Sequence, residues 1–218
     1  MKQWNAIFKN KGVYFFKPQE DILKISKLFK KSGTRKILDL GCGSGRHIVY
    51  LAKYGFDIYG IDIASTGIKI TKECLKKENL KANLKIGNIY KKLVYPNNFF
   101  DALISTQTIN HNNINNIRKL IKEIKRVLKP NGFIFVTVNK KITKQGLTMN
   151  KKINKLSWNR KLKYLDSRTA VPLDGDEKGL LHYFFNKGIL RKEFSDFKCD
   201  IWTDSKNKNY CLLGRLIK

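Results

Sequence analysis

The sequence predicts an α/β fold, one mostly parallel sheet with helices on both faces. Three observations predict it. Short apolar runs alternate with helical patterns from about residue 18 to 139, a rhythm in which each helix returns the chain to a parallel strand. Residues 133–138 are nearly all apolar, as in a strand buried on both faces. The first strand runs directly into Gly41-Cys42-Gly43-Ser44-Gly45 and then a helical pattern. Strand, tight turn and helix start in that order cradle a nucleotide-like ligand.

The elements follow in order. Residues 18–31 read as a helix, with Pro18 suited to the first position and Ile22, Ile25, Leu28 and Phe29 as its apolar stripe. Ser32-Gly33 ends it. Strand one is 36–40, helix 45–54 follows, and strand two is 57–62. Ser65 is placed to cap a helix running to about Glu78. Strand three is 83–86, and a loop with Tyr95-Pro96-Asn97-Asn98 leads to strand four at 101–105. Residues 114–128 form a helix with Ile117, Leu120, Ile121, Ile124 and Leu128 on one face, stopped by Pro130-Asn131-Gly132. Strand five is 133–138. Residues 139–178 break the rhythm. Ten basic side chains from Lys140 to Arg168 face one acid, Asp166, which reads as a flap over the sheet edge or as a solvated loop with one short helix. Helix 186–196, strand 197–203, a polar turn at 204–208 and strand 210–217 close the chain as an antiparallel hairpin. The whole is one domain, 1–218: an N-terminal cap segment and helix (1–33), a ligand-binding core (34–139), a basic insertion or flap (140–185), and a closing helix and hairpin (186–218).

Composition narrows the classes. The 218 residues suffice for one sizeable core. No apolar run approaches membrane-spanning length, and residues 1–6 lack a signal-peptide core, so a cytoplasmic protein away from membranes is expected. Cys42, Cys74, Cys199 and Cys211 show neither paired nor metal spacing, and no metal is expected. The formal charge is +28, from 45 basic and 17 acidic residues. Such a field attracts polyanions such as RNA. The abundance of Lys, Asn and Ile equally fits a compositional bias.

The glycine spacing separates two ligand classes. A dinucleotide site reads G-x-G-x-x-G; here the third glycine comes one residue early and Arg46 stands in its place. Asp39, just before the first glycine, repels a phosphate and suits an ammonium group. Asp62 ends strand two, 21 positions after Gly41, where a ribose-binding carboxylate belongs. Ribose plus ammonium without pyrophosphate describes S-adenosylmethionine.

The run Asp39-Leu40-Gly41-Cys42-Gly43-Ser44-Gly45, with Asp62 and Val127-Leu128-Lys129-Pro130-Asn131-Gly132 downstream, resembles the class I S-adenosylmethionine-dependent methyltransferases (type 11-like), most strongly over residues 35–139. The resemblance implies a Rossmann-like seven-stranded sheet ending in the antiparallel hairpin. It implies cofactor contacts from Asp39, Gly41, Cys42, Gly43, Gly45, Asp62, Ile63, Asn88, Ile89, Ser105 and Gln107. Asn88 stands where relatives often carry Asp for the adenine amino group; its amide oxygen can still accept.

Methyl transfer to N or O needs alignment and removal of a proton, and a histidine near neutrality can take it. Of the three histidines, His47 lies inside a helix and reads as structural. His111, past strand four, and His182, in His182-Tyr183-Phe184-Phe185, are the expected catalytic pair. An acceptor wall is expected from Tyr14, Phe16, Gln107, His111, His182, Tyr183 and Phe185; for the 182–185 block a buried core segment is the alternative. Trp4, Tyr14, Phe15 and Phe16 belong to a segment expected either to cover the cofactor or to pack on the sheet edge. The 182–185 block and the 204–210 turn loosely resemble wobble-uridine tRNA methyltransferases, without the arginine those place before the tyrosine-histidine pair. Three functions follow: a small-molecule N- or O-methyltransferase, a tRNA-modifying enzyme, or a non-catalytic S-adenosylmethionine-binding partner protein.

Overall fold

The computed structural model describes residues 2–13, 17–140 and 161–217. Its seven-stranded sheet is built from β1 (Lys36–Leu40), β2 (Asp57–Asp62), β3 (Asn83–Ile86), β4 (Phe100–Thr106), β5 (Leu128–Asn139), β9 (Phe197–Thr203) and β10 (Asn209–Leu216). The order is β3-β2-β1-β4-β5-β10-β9, with β10 antiparallel to both its neighbours and the remaining pairings parallel. This is the expected sheet and hairpin.

Period-two alternation sends neighbouring side chains to opposite faces. Leu38, Leu103, Ile134 and Val136 pack with Ile117, Leu120, Ile121 and Ile124 of α5 (Ile114–Val127). Ile37, Ile104 and Phe135 pack on the other face with Ile22, Ile25 and Phe29 of α2 (Ile22–Lys31) and Ile48 and Leu51 of α3 (Arg46–Lys53). Burying a large aliphatic side chain contributes about 1.5–3 kcal/mol, so these two layers hold the sheet. Asn131 adopts a left-handed backbone, φ 61°, four residues past the end of α5 and inside β5, which begins at Leu128 rather than at the expected 133 and takes in the Pro130-Asn131-Gly132 stop.

Several expectations are corrected. The helix expected from Pro18 starts at Ile22. Gln19 and Glu20 are drawn into other bonds: the Gln19 amide donates to His47 Nε2 at 3.1 Å, and Ser205 donates its N–H and hydroxyl to Glu20 at 2.7 and 2.6 Å. Ser65 does not cap α4 (Ser65–Lys77); it lies inside the helix. The cap comes from α1 (Lys2–Lys11), whose Asn5 Oδ1 accepts from the Thr66 amide at 3.0 Å. The closing helix, α6 (Lys187–Glu193), is three residues shorter at its end than expected, and Asn186 caps its start by accepting from the Ile189 amide at 2.7 Å.

The described part of the basic insertion is a second, three-stranded antiparallel sheet, β6 (Leu162–Tyr164), β7 (Thr169–Pro172) and β8 (His182–Tyr183), in the order β6-β7-β8. It is stitched to the main sheet by the Tyr183 amide donating to the Asn110 carbonyl at 2.8 Å and the Phe185 amide to the Asn139 carbonyl at 3.2 Å. Residues 141–160 of the expected 140–185 insertion or flap lie outside the described residues. Cys42, Cys74, Cys199 and Cys211 are free thiols. Among the described residues no helix is long and apolar enough to cross a membrane.

Candidate functional site

A cleft of about 1440 Å³ opens along the carboxyl ends of the parallel strands, the edge where open α/β sheets bind ligands. Asp62, Ile63, Asn88 and Ile89 line one end; Gly41, Cys42, Gly43 and Gln107 line the middle; His111, Asn139, Glu177 and Leu180 line the other. Helix α1 contributes Trp4 and Phe8 to the lining.

The glycine loop is held from below. Asp62 accepts the Gly43 amide on Oδ2 and the Ala64 amide on Oδ1, both at 2.8 Å. Burial pushes the Asp62 carboxyl up and these amides oppose it. Each oxygen keeps a lone pair for a ribose hydroxyl. Gly43 has φ +55°, and a Cβ there would sit 3.1 Å from the Phe8 ring, so α1 lies directly over the loop. Cys42 is buried beneath it. Desolvation, with the charges of Asp39 and Asp62, drives its thiol well up, so it stays protonated and serves as a small packing residue.

Asp39 is 1% exposed and neither carboxylate oxygen has a hydrogen-bond partner. The nearest basic atom is His47 Nδ1, 3.7 Å away, on a ring whose charged form burial disfavours. A buried carboxylate in this state calls for positive charge, which is what an ammonium or sulfonium supplies, so the residues present fit S-adenosylmethionine. Asp39 lies behind the lining and acts through its charge. His47 accepts the Gln19 amide on Nε2, which leaves its proton on Nδ1 towards Asp39. Burial lowers its pKa, with Asp39 opposing.

Besides Asp39, two expected cofactor residues do not line the cleft. Ser105 is fully buried and its hydroxyl donates to the Leu40 carbonyl at 2.9 Å, joining β4 to β1. Gly45 precedes α3 with φ +85°, and a Cβ there would meet Thr71 Cγ2 at 2.5 Å; its bareness lets α3 and α4 close together. Asn88 does line the cleft, but its Oδ1 holds the Tyr90 amide at 2.9 Å, so it shapes the turn as well as facing the ligand. Gln107 is the one described residue with positive φ that is neither Asn nor Gly, at φ 54°. Its amide donates to the Thr137 carbonyl at 2.9 Å. Backbone held in this region marks functional sites.

At the far end, His111 lines the cleft and His182 does not. His182 is fully buried behind it, the two rings edge to face with centroids 4.6 Å apart. Its place in β8, paired with Ala170, turns it away from the opening. His182 Nδ1 is 3.2 Å from Asn139 Nδ2, and Nε2 is 3.6 Å from Glu177 Oε2. Tyr183 and Phe185 are also corrected. Their rings meet at 4.9 Å in the core with Leu190 and Phe194, so the buried-segment alternative holds. Tyr14 and Phe16 lie outside the described residues. The wall is made instead by Trp4, edge-on to His111 at 5.5 Å, and Glu177. Burial lowers the His111 pKa, with the Glu177 charge and the Gln107 and Leu181 carbonyls opposing. Its Nδ1 is buried without a hydrogen-bond partner, which leaves Nε2 as the nitrogen for the cleft.

Sequence reasoning missed Phe8, Gln19, Asn139 and Glu177. The spacing of Trp4, Ile7 and Phe8 is the signal for α1. The acidic run Asp174-Gly175-Asp176-Glu177 in so basic a chain is the signal for that loop.

Comparison with known proteins agrees with this geometry. Residues 38–136 match the family model described as a methyltransferase domain. The chain is 30% identical over 147 residues to the ubiquinone biosynthesis O-methyltransferase of Pelagibacter ubique, covering 63% of this chain and 60% of that protein. It is 34% identical over 103 residues to the phosphoethanolamine N-methyltransferase of Plasmodium falciparum, covering 47% of this chain and 38% of that protein. It thus spans less than two thirds of either relative's length. The crystal structure of PH0226 from Pyrococcus horikoshii OT3 superposes with a TM-score of 0.72 at 23% identity, covering 97% of this chain and 98% of that one, a likeness of fold. With the glycine loop, Asp62 and the β3-β2-β1-β4-β5-β10-β9 sheet, these matches make the chain similar in fold and in its cofactor loop to the class I S-adenosylmethionine-dependent methyltransferases.

Proposed function

We propose that the protein transfers a methyl group from S-adenosylmethionine to an N or O atom of a small-molecule acceptor. The observation that carries this is the roofed acceptor end, where α1 brings Trp4 and Phe8 over the strand ends and Glu177 and Leu180 close the side. Gln3 Nε2 donates to the Lys178 carbonyl at 2.7 Å and Lys11 pairs with Asp176, clasping α1 to that side loop. Such an enclosure suits a small molecule. One relative is named for O- and another for N-methylation, so the acceptor atom stays open between the two.

S-adenosylmethionine, when bound, supplies a methyl carbon on a cationic sulfur that is already a good leaving group. Asp62 and the Gly41–Gly43 loop would hold its adenosine part, and Asp39 would balance its charge. His111, kept neutral by burial, takes the acceptor proton on Nε2. General-base assistance of this kind contributes about 10²–10⁴ in rate.

An RNA acceptor is the second reading. Lys17, Lys206 and Lys208 also line the cleft, and the net charge favours polyanions. The test is methyl transfer from radiolabelled S-adenosylmethionine to a panel of small amines and phenols, with bulk unmodified tRNA alongside. Label in a small molecule supports the first reading, and label in tRNA the second. Cofactor binding with no transfer to either class would leave a non-catalytic binding protein.

A further inference from the structure

His47 is buried inside α3, yet both its ring nitrogens sit against groups that shape the cleft. Nε2 accepts the backbone amide of Gln19 at 3.1 Å. Gln19 lines the cleft together with its neighbours Lys17, Pro18 and Glu20. Nδ1 lies 3.5 Å from the hydroxyl of Thr106, another lining residue, and 3.7 Å from Asp39 Oδ2. One imidazole thus joins a wall segment to the buried carboxylate whose charge suits the cofactor. We propose that His47 is a positioning residue that couples wall and cofactor: neutral, it pins Gln19 beside the cleft and leaves the Asp39 charge to the bound cofactor; protonated, it does neither. This rests on the S-adenosylmethionine-binding reading above and adds a proton-linked control to it.

Hydrogen-bond roles fix the first half of the coupling. A backbone amide only donates, so Nε2 must keep its lone pair and the single proton of the neutral ring sits on Nδ1. There it faces Thr106 and Asp39, both able to accept. Protonation adds an N–H at Nε2, pointing at the Gln19 N–H, donor against donor, and the bond is lost. The rest of the segment is tied elsewhere. Gln19 Nε2 donates to Asp21 Oδ2 at 2.9 Å, and Ser205 donates to Glu20. Among the described residues, His47 supplies the one hydrogen bond from 17–20 to the glycine-loop side.

Electrostatics fixes the second half. Asp39 is buried without a hydrogen-bond partner, so it attracts whichever cation comes near. The charges acting on His47 are that carboxylate from β1, which favours its protonation, and the Arg46 guanidinium on its own helix, which opposes it. The acids of the neighbouring segment are engaged away from the ring, Glu20 by Ser205 and Asp21 by Gln19 and Trp202. An imidazolium 3.7 Å from Asp39 would balance its charge in place of the cofactor. Proton and cofactor therefore oppose each other, each weakening the other by the same factor. Burial lowers the His47 pKa, so the ring is in its binding form at neutral pH, and affinity falls only as acid overcomes that depression.

The test is calorimetric titration of S-adenosylhomocysteine, which keeps the ammonium group, into the full chain, His47→Gln and His47→Leu. Titrations run at about pH 7.5 and about pH 5.5, either side of the ordinary histidine value. The glutamine amide can accept the Gln19 N–H without titrating, and leucine can do neither. At the higher pH, His47→Leu should bind about tenfold more weakly than wild type, and His47→Gln should restore most of that loss. At the lower pH the wild type should bind severalfold more weakly and release protons on binding, read from two buffers of different ionisation heat. Both effects should shrink in His47→Gln. Acid-independent binding by the wild type, undiminished acid weakening and proton release in His47→Gln, or a folded His47→Leu that binds as tightly as wild type would overturn the coupling. If the melting curve shows His47→Leu unfolded, wild type against His47→Gln still decides. Failure of the wild type to bind at the higher pH would instead overturn the S-adenosylmethionine reading beneath it.

Discussion

The two halves of the cleft are assembled differently. In the cofactor half every anchoring group sits at or just past a strand end: the 41–45 loop after β1, Asp62 at the end of β2, Asn88 after β3. In the acceptor half the groups come from α1, the segment after β4, the end of β5 and the loop before β8, which are far apart in sequence and meet only after the sheet has formed. Cofactor recognition is therefore a local property of strand, turn and helix. Acceptor recognition is a property of tertiary packing, free to change without disturbing the first half.

If the halves are that separable, substitutions should sort cleanly between them. The largest separation is expected at the paired histidines. His111→Ala should lower kcat by about 10²–10⁴ while leaving cofactor affinity intact, measured by steady-state kinetics beside calorimetry. The acid limb of the wild-type profile should fall below the ordinary histidine value of 6.5, because burial depresses this group. His182→Ala, by contrast, should act mainly as a destabilising core change, seen in the melting temperature. Equal kinetic losses at both positions would dissolve the contrast between them.

The aromatic pair behind the acceptor wall comes next. Phe185→Ala should cost about 3–5 kcal/mol of stability by denaturant titration, with acceptor preference unchanged, since the ring is 1% exposed and packs in the core. A shift in preference without lost stability would return Phe185 to the wall.

Acid should loosen both halves together. His47 on the cofactor side and His111 on the acceptor side both have folded-state pKa values below 6.5. As pH falls through about 6.5 the unfolded chain binds protons that the folded chain still refuses. Their contribution is thus full above that pH and is lost as pH drops through the depressed folded values. Thermal melts from pH 7.5 down to 5 should show falling stability, and His47→Gln should flatten part of the slope.

The smallest effect concerns the strut between the halves. Asn5→Ala removes the α1 side chain that caps α4 and should cost about 0.5–2 kcal/mol, read as a modest drop in melting temperature with weaker closure over the cofactor.

The same division explains what was legible beforehand. The β1–glycine loop–β2 unit leaves a compositional imprint because each position has a backbone or charge requirement: positive φ at Gly41 and Gly43, a carboxylate at Asp62. Strand alternation announced the sheet. Ser105 and Gly45 stand in the right order for ligand contacts, yet the Ser105 hydroxyl bonds the Leu40 carbonyl and a Cβ at Gly45 would meet Thr71. His182 was misread for a related reason. In a strand, facing the cleft or the core is settled by register, and β8 pairs with β7 inside a small sheet that no periodicity announced. Helix α1 escaped notice because its apolar stripe is short and flanked by Lys and Asn. Glu177 is found only when α1 and the 174–180 loop are seen clasped together.

The central claim is that this strand edge binds S-adenosylmethionine through Asp62, and calorimetric titration with S-adenosylhomocysteine tests it most directly. The wild-type chain should bind at one site. Asp62→Ala should weaken binding by about a hundredfold, since charge-assisted hydrogen bonds are worth about 1.5–3 kcal/mol each, while His111→Ala binds as wild type. A melting curve on each variant separates loss of the ribose contact from loss of the Gly43 and Ala64 ties. No binding by the wild-type chain, or undiminished binding by a folded Asp62→Ala protein, would contradict it.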